Sequence, residues 1–210
     1  FWSLFDQKAS TWVFQADAMT KPTWFSPAQM QALNPALVML IIPFNNFIVY
    51  PWLRKRGKEP SQLGRMALGM ALAGLSWIVV GAMQLVIDGG EAISIAWQVL
   101  PYILLTAGEV LVSNTGLEFA FREAPASMRS TMMSFWLLTT ALGNLAIAKV
   151  FGLNVKERLA DGTEVLHVSG PAFFNLCAAM LCVVAIGFVF VALRYQYRDA
   201  SKNASGSPAH

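Results

Sequence analysis

The stretch LLTAGEVLVSNTGLEFAF, residues 104–121, carries a carboxylate, Glu109, in the middle of an apolar run. A charge at bilayer depth costs about 3 kcal/mol on insertion scales, so an ionisable group kept there points to a function and a partner. Such a carboxylate can hold a proton or a cation. Glu109 has no basic residue within a turn of its own helix, and it shares a face with Ser113 and Gly116 at i, i+4, i+7 spacing. Two further polar stripes follow the same helical rule: Trp2, Asp6 and Ser10, and Trp136, Thr140 and Asn144. Lipid would leave these groups unsatisfied, so the three faces are expected to point into protein or water. Covalent chemistry has no visible equipment: there is no Ser-His-Asp set, phosphate loop or HExxH helix, and His167 and His210 have no metal-ligand spacing.

Several of these residues also admit a purely structural reading. Asp6 could be an ion-pair partner of Lys8 or of another segment, although two helix positions apart the pair faces different ways. Asn34 precedes Pro35 and could satisfy carbonyls freed at that kink. Trp136 fits either a packed aromatic or a cavity wall, and its depth argues against an interfacial anchor. Glu118, near the end of its span, can pair with Arg122 at i+4. Lys149 lies towards the other end of its span, where its stem reaches the interface.

The elements that position these groups follow from composition. The chain has 210 residues, 56% hydrophobic and 13% charged, with mean hydropathy +0.51. A soluble domain carries about 25% charged residues, so the solvent for much of this surface is a bilayer. The net charge of +3 is modest and the basic residues cluster in short connections, which argues against a nucleic-acid-binding face. Cys177 and Cys182 point about 140° apart on one helix, a poor geometry for a disulfide, and read as small apolar fillers. Six transmembrane helices are predicted, at 1–19, 27–53, 63–88, 95–121, 127–152 and 170–195. They form an all-α membrane bundle over 1–200 with a polar tail at 201–210. Breakers separate them at Pro22 and Pro27, Gly57 to Pro60, Gly89-Gly90, Pro125, Asp161-Gly162 and Gly170-Pro171. Pro35, Pro43 and Pro51 should bend or loosen the second span.

Arg54, Lys55, Arg56, Lys58 and Arg65 fill the second connection, Arg122 and Arg129 the fourth, and Arg194, Arg198 and Lys202 the tail. The third connection has Asp88 and Glu91 without Lys or Arg, the first only Lys21, and the fifth offsets Lys156 and Arg158 with Glu157, Asp161 and Glu164. By the positive-inside rule the C-terminus is cytoplasmic, and the Asn203-Ala204-Ser205 sequon there carries no meaning. The first apolar run has no basic segment before it and starts at Phe1 inside a helix, so the chain is expected to be part of a longer polypeptide.

The segments FWSLFDQKASTWVFQADAM, QMQALNPALVMLIIPFNNFIVYP and GEVLVSNTGLEFAFREAPASMRSTMMSFWLLTTALGN resemble spans seven to twelve of proton-dependent oligopeptide transporters, the POT/PTR family of the major facilitator superfamily. The resemblance runs from Phe1 to about Phe190, and the family's N-terminal E-x-x-E-R-F-x-Y-Y helix is absent. It implies one half-bundle of a twelve-helix symporter in the cell inner membrane, moving di- and tripeptides by alternating access with protons as coupling ion and no cofactor. The partners implied are peptides, protons, the lipid bilayer and the missing N-terminal six-helix half. By position, Glu109 matches the carboxylate that binds the peptide amino terminus and Asn34 the amide that assists it. Trp2 and Trp136 match aromatics lining side-chain pockets, with Ser113 and Thr140 on the same faces. Asp6 matches an acidic residue of gating and proton coupling, a role shared with Glu109. Glu118, in the TGLEF segment, falls to gating at the cytoplasmic end.

Two other readings compete. A carrier of nitrate, amino acids or another small solute would use the same scaffold, but Glu109 would repel an anion. A non-transporting scaffold or sensor needs no convergence of three polar faces.

Overall fold

Among the residues described by the computed structural model, five helices are long and apolar enough to cross a membrane: Pro27–Lys55, Gln62–Asp88, Ile95–Glu123, Ala126–Lys149 and Phe173–Arg194. They coincide with five of the predicted spans. The structure describes residues 1–57, 60–154, 157–158, 164–165 and 171–195. The expectations for Lys58, Lys156, Asp161, Gly162, His167, Gly170, Arg198, Lys202, Asn203 to Ser205, His210 and the tail 201–210 lie outside the described residues.

The segment predicted as the first span is helical but interrupted. It runs through α1 (Trp2–Phe5), a 3-10 turn (Asp6–Ala9) and α2 (Thr11–Asp17). The break has a local cause. The carbonyl of Gln7 accepts from the Ser10 hydroxyl at 3.2 Å and the Thr11 hydroxyl at 2.9 Å, and the Ser10 hydroxyl also reaches Gln7 Oε1 at 3.0 Å. Such side-chain bonds offer the backbone an alternative to a continuous helical ladder. Ser10 is thereby tied to Gln7, and the predicted regular stripe of Trp2, Asp6 and Ser10 does not persist as one helical face.

The second span begins with a capping box, Ser26 and Gln29 bonding reciprocally, with Pro27 where a missing N–H costs little. A 3-10 turn (Pro27–Ala32) leads into α3 (Leu33–Phe44), a π-helical turn (Asn45–Val49) and α4 (Tyr50–Lys55). The wide turn lies between Pro43 and Pro51, each of which removes one backbone donor from the ladder. The expected loosening is therefore present and localised.

The long helices α5 (Gln62–Asp88), α6 (Val99–Glu123), α7 (Arg129–Asn154) and α8 (Pro171–Arg194) follow. Ser61 caps α5 by accepting from the Gly64 amide at 3.0 Å. α5 packs along both α6 and α8, and the closest crossing is at two glycines. A Cβ on Gly108 would lie 2.5 Å from the Gly69 carbonyl oxygen, and one on Gly69 would lie 2.7 Å from the Gly108 carbonyl oxygen. Small residues let membrane helices approach this closely. The core beside this crossing holds Trp12, Trp77, Tyr102, Leu105, Phe174 and Leu181, all fully buried. Trp12 meets Trp77 and Tyr102 edge-on, with centroids 5.6 and 5.0 Å apart. Backbone bonds from Thr20 to Ile93 and from Ile95 to Thr20, 2.8 and 3.0 Å long, tie the end of α2 to the start of the fourth span.

Burial is uneven. The most apolar window of α5 is half buried, whereas those of the second and fifth spans contain no buried residue. In the fifth connection, Glu157 and Arg158 pair antiparallel with Val165 and Glu164. The cysteines are free, Cys177 buried and Cys182 half-buried.

Candidate functional site

Asn34 stands in the first turn of α3 and Glu109 at mid-length in α6. The two helices bring them into contact: Asn34 Nδ2 donates to Glu109 Oε2 at 2.8 Å and to the Thr106 hydroxyl at 3.0 Å. Of the two readings of Asn34, the geometry selects the bond to Glu109 over one to a kink carbonyl. A hydrogen bond to an ionised carboxylate is roughly twice as strong as a neutral one, so this contact fixes where the carboxylate points.

A cation also reaches this region from a different segment. Lys8 is buried, with its ammonium 3.2 Å from the centroid of the Phe5 ring and within electrostatic range of Glu109 and Asp6. Lys8 is not a neighbour of Glu109 by helical spacing, because it comes from a different segment. The available signal was a lysine inside an apolar segment, two residues after an acid.

The first and third polar stripes meet as well. Asp6 Oδ2 accepts from Asn144 Nδ2 at 2.6 Å, and the Ser3 hydroxyl donates to the Gly143 carbonyl at 2.7 Å. Gly143 makes the approach possible, because a Cβ there would lie 3.2 Å from Trp2 Cβ. The described hydrogen-bond partner of Asp6 is thus Asn144, with Lys8 acting on it through charge. Trp136 joins the third stripe to the second: its ring fills the notch at Gly116, where a Cβ would fall 2.1 Å from a ring carbon. Trp2 packs edge-on to Phe1 and Phe5, with centroids 5.3 and 5.7 Å away. Ser113 and Thr140 are half-buried on the faces predicted for them. What assembles is a carboxylate with an amide donor, a nearby cation, a second acid with its own amide, and two indoles. That set suits ionic recognition of a polar solute with apolar parts.

Glu118 is elsewhere. Nine residues beyond Glu109, it lies about 13 Å further along α6. Its Oε1 is 2.8 Å from Arg122 Nη2, the predicted i+4 pair, and its Oε2 is 3.8 Å from Arg65 Nη2. Lys149 is exposed near the end of α7.

Comparison with known proteins identifies the family. The profile of the family described as PTR2: POT family matches residues 1–164. The chain belongs to the POT family. Among curated POT relatives, Peptide transporter YePEPT of Yersinia enterocolitica is 30% identical over 197 residues, which is 89% of this chain and 37% of that protein. Dipeptide and tripeptide permease A of Erwinia pyrifoliae is 31% identical over 153 residues, 72% of this chain and 30% of that protein. A solved structure described as an auto inhibited POT family peptide transporter superposes with a TM-score of 0.82 at 49% identity, covering 100% of this chain and 40% of that one. The POT transporter PepTSo, crystallised in meso, gives 0.82 at 50% identity over 94% of this chain and 39% of its own. The chain spans less than half the length of these POT relatives. The fold is therefore that of a multi-pass POT membrane protein, nearly all helical.

Proposed function

We propose that this chain is the C-terminal half-bundle, spans seven to twelve, of a proton-coupled symporter of di- and tripeptides. The observation that carries the reading is the Glu109 carboxylate held by Asn34 at the middle of a membrane helix. A peptide's amino terminus is an ammonium, and in a poorly screened cavity it meets Glu109 with a strength that water would not allow. Lys8 and Asn34 lower the cost of the carboxylate while no ligand is bound. Proton and ammonium compete for one group, which couples the two fluxes. Trp2 and Trp136 supply apolar walls for side chains, Ser113 and Thr140 polar contacts, and the peptide carboxylate is left to cations of the other half-bundle. Asp6 serves gating and proton coupling, and Glu118 serves gating at the cytoplasmic end. Alternating access is the rocking of this bundle against its partner around a midplane site. Protons are the coupling ion, and the chemistry calls for no cofactor. The relatives named for dipeptides and tripeptides support the substrate class. The charge pattern supports a cytoplasmic C-terminus, and the membrane proposed is the cell inner membrane.

Glu109→Gln tests this. Losing one partner of a buried ion pair costs about 3–5 kcal/mol, more than a hundredfold in affinity. Proton-driven uptake of a labelled dipeptide by the full-length variant should therefore fall to background, with normal expression and membrane insertion. Near-normal uptake would overturn the proposal. Competition by nitrate or free amino acids stronger than that by dipeptides would reassign the substrate.

A further inference from the structure

A polar cleft lies away from the Glu109 site, where α4 ends, α5 begins and α6 ends. It is a cleft of about 330 Å³ lined by Asn46, Tyr50, Arg54, Arg65, Glu118 and Arg122, among others. Arg65 and Arg122 share one carboxylate, so these three residues together carry a net positive charge. The Arg65 guanidinium stands 5.5 Å from the Tyr50 ring centroid, and its Nε is buried with no hydrogen-bond partner among the described residues. Guanidinium forks match the oxygens of a tetrahedral phosphate, singly or in pairs. The cleft sits at the ends of three membrane-length helices. Trp52, half-exposed and close to Tyr50 in α4, lies under the Arg56 guanidinium at 3.9 Å. Aromatic belts and basic residues mark the headgroup region, where anionic phosphates concentrate.

We propose that this cleft binds a phosphate group, presented by an anionic lipid headgroup or by free inorganic phosphate. Glu118 then does more than pair locally, because its charge offsets part of that on Arg65 and Arg122 and limits the affinity of the anion they bind.

The test titrates the full-length protein in detergent with short-chain phosphatidylglycerol in one arm and inorganic phosphate in the other. Short-chain phosphatidylcholine, whose choline cancels the headgroup charge, is the control. Arg122→Gln, at a position two-thirds exposed, should weaken binding about fivefold. Glu118→Gln should tighten it, which a merely structural role for the cluster would not produce. Arg194→Gln, where the guanidinium lies over Phe190 instead of lining the cleft, should leave it unchanged. Binding of phosphatidylglycerol alone assigns the site to lipid, and comparable binding of inorganic phosphate assigns it to the free anion. Absence of binding in both arms overturns the proposal. So does an equal loss in Arg122→Gln and Arg194→Gln, which would mark a diffuse charge effect.

Discussion

Asn34 bonds to Glu109 and Thr106 through one amide nitrogen, so its removal leaves two acceptors short of a donor at bilayer depth. A hydrogen bond to a charged group contributes about 1.5–3 kcal/mol. Asn34→Ala should therefore lower apparent peptide affinity by roughly tenfold or more, read as a raised KM in uptake assays with maximal rate less affected. An unchanged KM would show that Glu109 is positioned by something else. Glu109 was legible in the sequence because a carboxylate between leucines and valines has no innocent explanation. Asn34 was legible as a candidate only, since its neighbour Pro35 offered a competing use for the amide. Lys8 was not legible as a companion of Glu109: the two are about a hundred residues apart in sequence, and only the packing of the first segment near α6 brings their charges within range. Helical spacing finds groups that share a face and is blind to groups that share a cavity.

At the scale of helices, the Gly69–Gly108 crossing sets the distance between α5 and α6. Backbone carbonyls stand where a Cβ would go on either side, so neither can yield by changing a rotamer. Gly108→Ala should destabilise the bundle by about 1–3 kcal/mol through overpacking, measured as a lower thermal midpoint of the detergent-solubilised protein. Gly187→Ala is the matched comparison: nothing lies within 4 Å of its Cβ position, and helix propensity alone favours the change by about 1 kcal/mol. Equal effects at the two sites would remove the close crossing from the explanation. Five of the spans were legible from hydropathy and from their proline and glycine boundaries, within a few residues at each end. The interruption of the first segment was not. It depends on Ser10 and Thr11 bonding to one carbonyl, a choice that hydropathy does not register. The glycine crossing was equally hidden, because Gly69 and Gly108 each look like an ordinary small residue until the helices meet.

At the scale of the whole molecule, charge sorts the helix ends. Arg54, Lys55, Arg56 and Arg65 lie at one end of the bundle with Arg122, Arg129 and Arg194, while Asp88 and Glu91 lie at the other. With Cys177 and Cys182 changed to Ala in the full-length protein, a cysteine placed at Arg56 and one placed at Glu91 should react with a membrane-impermeant thiol reagent from opposite faces, Arg56 only from the cytoplasm. Labelling of both from one face would refute the topology. The π turn at Asn45–Val49 has a consequence for the same axis of the molecule. A π turn winds one more residue into its circuit than an α turn, and one residue of α-helix is about 100° of rotation. It therefore acts as a phase shifter between the two halves of the second span. Upstream, Asn34 is aimed at Glu109; downstream, Tyr50 and Arg54 are aimed into the cleft at the helix end. Deleting a single residue there would turn one half of the span by about 100° against the other, so that only one of those two alignments could hold.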